Sequence, residues 1–241
     1  MSQNERFFFE DLFLCLKNEN TLVLGDVHMG YEEALNKQGV LIPRSQYPLT
    51  AKRLQNFFED KKFEKIIING DLKHEFGSIS ETEWRHTLRT IDFLATKCNN
   101  LILVKGNHDQ ILGPIAGKRN IKVVDFLFED DILITHGHYV PDIAFNDEIK
   151  YIVIGHEHPA VTLVDYPRNE KFKCFLKGSW KNKELLVIPS FNTVNEGSDV
   201  LKEKLLSPFL SRIDNYRVYV VGEDVLDFGT IRELKMFNSQ T

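Results

Sequence analysis

The sequence predicts an α/β fold, and three observations carry that prediction. Short aliphatic, β-branched runs recur along the chain, helical repeats separate several of them, and five such runs end in glycine beside histidine, aspartate or asparagine. Continuous apolar runs of about four residues suit strands buried on both faces. Strand, helix and strand in alternation point to a largely parallel sheet.

In chain order, the strand-like runs lie at 21–24, 65–68, 101–104, 132–134 and 151–154. Pro48 followed by Leu54, Phe57 and Phe58 predicts a helix with the proline in its first turn. A second helix is expected over 81–97, where Trp84, Leu88, Ile91, Leu94 and Ala95 form one stripe. After residue 160 the pattern changes to strand-like stretches near 161–164, 172–176, 184–188 and 217–221, with one helix expected over roughly 199–213. This later part is expected to form a second sheet packed on the first. Without repeats, low-complexity tracts or linker-like stretches, residues 1–241 are expected to form one domain.

A chain of 241 residues, 42% hydrophobic and 27% charged, can bury a core without covalent staples. Cys15, Cys98 and Cys174 are odd in number and widely spaced, which argues against a disulfide framework and a zinc-thiolate site. Phe7 to Phe9 lack a preceding basic region and are followed by Glu10 and Asp11, so no signal peptide is expected. No apolar run reaches the ~20 residues of a membrane span. The expected location is the cytoplasm, with no membrane partner. A net charge of -5 gives no overall attraction to nucleic acid, so any such contact needs a local patch.

The five runs end in Gly25-Asp26-Val27-His28, Asn69-Gly70-Asp71, Gly106-Asn107-His108-Asp109, Thr135-His136-Gly137-His138 and Gly155-His156-Glu157-His158. Ligands of α/β sheets bind outside the carboxyl ends of strands, so these loops should converge on one edge. Asp26 with His28, and His156 with His158, are two residues apart and in extended chain project to one face. Six of the eight histidines fall within these blocks.

The ordered set G-D-x-H, G-D, G-N-H-D, H-G and G-H-x-H over roughly residues 20–160 resembles the calcineurin-like metallophosphoesterases. More narrowly, the opening D-V-H-M-G-Y-E-E-A-L, the block Gly70 to Gly77 and the segment Asn192 to Val200 resemble archaeal ICC-like phosphoesterases. Those are related to small bacterial enzymes found with DNA-repair ligases or helicases. The resemblance implies a four-layer α/β/β/α sandwich with two divalent metals at one edge of the paired sheets. Asp26, His28 and His158 would hold one metal, and Asn107, His136 and His156 the other, with Asp71 bridging them. Carboxylate, imidazole and amide donors without thiolate suit Mn²⁺, the expected metal, with Fe or Zn²⁺ as alternatives. His108 would serve catalysis at the leaving group, oriented by Asp109.

The second block departs from the G-D-x-x-D-R of many phosphatases and reads Gly70-Asp71-Leu72-Lys73-His74-Glu75. That weakens a protein-phosphatase reading and leaves Lys73 and His74 as candidate substrate contacts, His74 equally as support for a ligand. His138 is left out of the ligand set, His86 is read as an ordinary helical histidine, and the 18 phenylalanines as core. Residues 168–183 carry six basic residues against Glu170, with Phe172, Phe175 and Trp180 interleaved. This stretch is either a solvated hairpin or a guide for a nucleic-acid backbone. Residues 189–198 read as a loop, which the resemblance places beside the site and which is otherwise an irregular connector. The expected reaction is metal-dependent hydrolysis of a phosphodiester, in DNA or RNA. The alternatives are a phosphatase or phosphodiesterase for small nucleotides, and a non-catalytic binding scaffold.

Overall fold

Fifteen strands among the described residues form two sheets. The computed structural model describes residues 6–75, 80–109, 119, 121–165 and 167–239. The first sheet orders β1 (Phe7–Glu10), β2 (Phe13–Leu16), β3 (Thr21–Leu24), β4 (Phe63–Asn69), β5 (Cys98–Val104) and β6 (Lys122–Val124). From β3 to β6 it is parallel, and β1 and β2 add an antiparallel edge. Between β3 and β4 lie α1 (Tyr31–Lys37) and α2 (Gln46–Phe57), and between β4 and β5 lies α3 (Glu81–Ala95).

The second sheet runs β13 (Ser198–Asp199), β10 (Pro159–Asp165), β11 (Arg168–Trp180), β12 (Lys183–Val187), β9 (Tyr151–Ile154), β8 (Ile132–Thr135) and β7 (Phe126–Glu129). β14 (Arg217–Val221) pairs with β11 and with β15 (Val225–Thr230), which leads into α4 (Ile231–Asn238). The expected change of pattern after residue 160 therefore misplaces the boundary. The runs at 132–134 and 151–154 belong to the second sheet, which begins at Phe126.

Side-chain alternation fixes the layers. Ile132, Ile134, Val153, Phe175 and Leu186 join the core of the first sheet. Leu133, Ile152, Ile154, Cys174, Leu176, Leu185 and Val187 enter a second core on the outer face. A one-residue slip of any of these strands would exchange the two sets. On its other face the first sheet is covered by Leu54 and Phe58 at α2 and by Ile91 and Leu94 of α3. These are helices, two sheets, and an outer layer of α4 with the chain around 200–216, the expected α/β/β/α order.

That outer layer corrects one expectation, because residues 199–213 form no helix. Asp199 Oδ1 accepts the Leu201 amide, and Glu157 Oε2 accepts the Leu206 and Ser207 amides. Pro208 has no amide to give. With its donors taken by side chains, the segment follows the sheet as turns and lowers Phe209, Leu210 and Ile213 into the core. α3 ends at Ala95 rather than 97, and its Ser80 side chain caps the Glu83 amide.

Candidate metal centre

The five histidine and aspartate blocks leave the ends of β3, β4, β5, β8 and β9 at a common edge of the two sheets. The turns that aim them are unusual: Asp26, His28, Asp71, His156 and His158 all have positive φ, between 46° and 65°. Such conformations cost non-glycine residues about 1–3 kcal/mol each and persist only where neighbours impose them. Here the imposed contacts are visible. The Asp26 amide donates to Gly70 O at 3.0 Å and the His28 amide to Asp71 O at 2.8 Å, so the turns after β3 and β4 interlock. The His156 amide donates to Asp26 Oδ2 at 3.0 Å, which ties in the second sheet.

Two glycines leave the space for ring and carboxylate. A Cβ on Gly70 (φ +82°) would lie 2.0 Å from His136 Nδ1, and one on Gly106 would lie 2.0 Å from Asp71 Oδ1. No larger residue fits at either position without moving a predicted ligand.

Two donor groups are built wholly from predicted metal residues. Asp26, His28 and His158 form one, and Asp71, His136 and His156 the other. In the first, His158 Nε2 lies 3.2 Å from both His28 Nε2 and Asp26 Oδ1. In the second, His136 Nε2 lies 3.3 Å from Asp71 Oδ2 and 3.2 Å from Asn107 Oδ1. Asp71 Oδ2 stands between them, 3.7 Å from His28 Nε2 and 3.3 Å from His136 Nε2. All seven predicted metal residues are thus brought to one place.

The electrostatics suit a cation. Burial, reinforced by His158, pushes His28 down to about 3, and burial beside His136 pushes His156 down to about 4. Both are neutral donors near pH 7. His136 is buried, which disfavours its charge, but Asp26 and Asp71 raise it to about 9. Burial would raise the Asp26 carboxyl, yet His158 and His136 hold it below the usual carboxylate range. Asp71 is likewise held low against its burial, chiefly by its contact with His136. Asp26 Oδ1 is buried and accepts no hydrogen bond from the described residues. A buried carboxylate oxygen facing imidazole nitrogens of His158 and His136, at 3.2 and 3.7 Å, is a donor arrangement that a divalent cation satisfies.

His108 borders these groups, with Nε2 3.9 Å from Asp71 Oδ2 and its amide donating to Asp71 Oδ1 at 2.9 Å. The expected orienting role of Asp109 has a different partner. Asp109 Oδ2 accepts the Gly106 amide at 3.0 Å, whereas His108 Nδ1 donates to the His74 carbonyl. Asp109 therefore shapes the turn that carries Asn107 and His108. Its buried carboxyl is pushed up to about 6, first by desolvation and then by Asp71.

His74 sits inside the cluster, its Nδ1 3.4 Å from His28 Nδ1 and its ring stacked on His108 at 5.2 Å. With His28 and His108 it makes a third possible donor group. His138 packs against His136 and His156 but joins none of the three groups. His86 stacks on Tyr47, away from these groups.

Sequence reasoning missed the props behind the site. Gln46 Nε2 donates to Val27 O and His28 O, and Ser190 Oγ donates to Asp26 O. Lys73 is wholly buried and donates to the carbonyls of Glu75 and His108. A helix-start glutamine and a loop serine carry no distinctive signal. Lys73, following Asp71 in place of the more familiar pattern, did. The basic stretch 168–183 forms β11 and its turn into β12, and two of its lysines are engaged: Lys173 donates to Ser190 O and Asn192 O, and Lys183 to Asn146 O and Ile149 O. These lysines anchor loops, and Lys177 pairs with Glu184.

Two layered sheets with aspartates, histidines and Asn107 at their common edge define a metallophosphoesterase fold. Residues 20–222 match the calcineurin-like phosphoesterase family, and the chain belongs to it. Among solved structures, it is similar to the Pseudomonas putida nuclease MPE, with 20% identity and a TM-score of 0.63 over 90% of this chain and 92% of that one. A weaker likeness is to the Aquifex aeolicus protein AQ665, at 19% identity and a TM-score of 0.39 over 57% of this chain and 78% of that one. No curated protein matches the chain. Among the described residues, no helix is long and apolar enough to cross a membrane.

Proposed function

We propose that this chain is a phosphodiesterase acting on nucleic acid, with two divalent cations held by Asp26, His28, Asp71, Asn107, His136, His156 and His158. The observation that carries the reading is Asp71 Oδ2, placed between a His28 group and a His136 group so that one carboxylate serves both. When bound, such a pair of cations activates water and neutralises the charge of the reacting phosphate. The chain's own residues do the rest. His108, its Nδ1–H donating to the His74 carbonyl, would act in its doubly protonated form and pass the Nε2 proton to the departing oxygen, leaving the neutral ring. The interlocked turns of Asp26, His28 and Asp71 hold the donors in place before substrate arrives. Mn²⁺ is the proposed metal, and the likeness in fold to a nuclease supports nucleic acid as substrate.

The test is hydrolysis of a chromogenic phosphodiester and a monoester in parallel with added Mn²⁺. Cleavage of the diester, lost in Asn107→Ala and His108→Ala, is expected, with oligonucleotide cleavage following. Cleavage of the monoester alone would replace this reading with a small-molecule phosphatase. Inertness toward both, with every divalent metal, would favour a binding scaffold.

A further inference from the structure

α2, β11 and the 192–196 loop line an open cavity of about 510 Å³ that no predicted metal residue lines. Its walls follow from simple periodicity. Leu49, Lys52, Arg53 and Asn56 lie at helical spacing on one stripe of α2, beside the face that buries Gln46, Thr50 and Leu54. Lys171 and Lys173 lie two apart on β11 and so share a face. Four basic side chains, Lys52, Arg53, Lys171 and Lys173, therefore line one cavity of an acidic chain, against a single lining acid, Glu196.

Some of these cations are engaged. Arg53 pairs with Asp11, Lys173 donates to two loop carbonyls, and Lys171 lies 3.5 Å from Glu203 Oε1. Lys52 is exposed and makes no ion pair among the described residues. Asn192, 1% exposed, shapes the loop wall: its Oδ1 accepts the Val194 and Asn195 amides. Leu12, Leu49, Phe172 and Val221 supply an apolar wall.

We propose that this cavity binds a nucleoside phosphate, at a site separate from the candidate metal centre. Lys52 and Lys171 meet the phosphate, and the apolar wall takes the base. The volume lies in the range of pockets that hold small ligands. The loop forming one wall also reaches the metal edge, because the Phe191 amide donates to Gly25 O at 2.9 Å and Ser190 Oγ to Asp26 O at 2.7 Å. Either a free nucleotide or one unit of a bound strand would present this chemistry.

The experiment is a calorimetric titration of the full chain with AMP, in Mn²⁺ and again in excess EDTA. Expected is binding that survives EDTA, weakens at least 10-fold in the Lys52→Ala, Lys171→Ala double variant, and is retained in Lys52→Arg. Loss of all AMP binding in EDTA, or equal affinity in the double variant, would overturn the site. Inorganic phosphate binding as tightly as AMP would overturn the nucleotide assignment. A single-stranded oligonucleotide without a terminal phosphate then separates the sources. Competition with AMP marks a strand unit, and its absence a free nucleotide, each consistent with the site. Because the EDTA arm needs no turnover, failure here is distinct from failure of the phosphodiesterase reading.

Discussion

Lys73 Nζ, with no solvent exposure, donates to the main-chain carbonyl of His108, thirty-five positions further along the chain. The same ammonium bonds the carbonyl of Glu75, so one buried cation joins the turn after β4 to the turn after β5. Lys73→Met keeps the volume but leaves two carbonyls without this donor. A stability loss of about 1–3 kcal/mol is expected. The distinguishing readout is kinetic: kcat should fall at least tenfold, with little change in the Mn²⁺ concentration that gives half-maximal activity. A variant that loses stability alone would reduce Lys73 to a structural role.

His108→Ala should retain metal, because the seven donors do not include its ring. Turnover should fall by roughly 10²–10⁴, the usual contribution of a positioned proton donor. Full activity at saturating Mn²⁺ would remove His108 from the chemistry.

Gly70→Ala tests the cradle around His136. The added Cβ would fall 2.0 Å from the imidazole, on a backbone at φ +82°. A stability cost of at least about 1 kcal/mol follows from the backbone alone. Weaker Mn²⁺ binding follows from displacement of the ring. Calorimetric titration with Mn²⁺ reads the second effect, and unchanged affinity would show that the cradle is not needed.

Lys173 gives a pH dependence of stability. Burial pushes its ammonium down to about 7 from the ordinary 10.5. Between those values the unfolded chain holds a proton that the folded chain has released, so the stability contributed here rises with pH across that window. Relative to Lys173→Met, the protein should gain on the order of 1–2 kcal/mol between pH 7 and 9, since each pH unit is worth about 1.4 kcal/mol at most. Urea midpoints of the two proteins at each pH check this, and a difference that shrinks with rising pH would reverse the sign.

Much of this was legible in the sequence because the informative signals are local. β3 and β9 coincide with aliphatic runs, and each predicted metal residue follows its strand within a few positions. What was not legible depends on distant partners. β1 and β2, whose phenylalanines drew no strand reading, are fixed by pairing: β2 onto β3, and the edge strand β1 onto β2. The helix expected over 199–213 lost to Glu157 and Asp199, whose carboxylates take its amides. Asp109 follows His108 directly, yet its carboxylate binds Gly106, a choice of turn geometry that spacing does not reveal.

The most direct test of the two-cation account is the number of Mn²⁺ ions bound per chain, measured by equilibrium dialysis on the protein and on Asp71→Asn. The account predicts two ions per chain, both weakened together in the variant because one carboxylate serves both groups. One ion per chain, or loss of a single ion with the other unaffected, would contradict it.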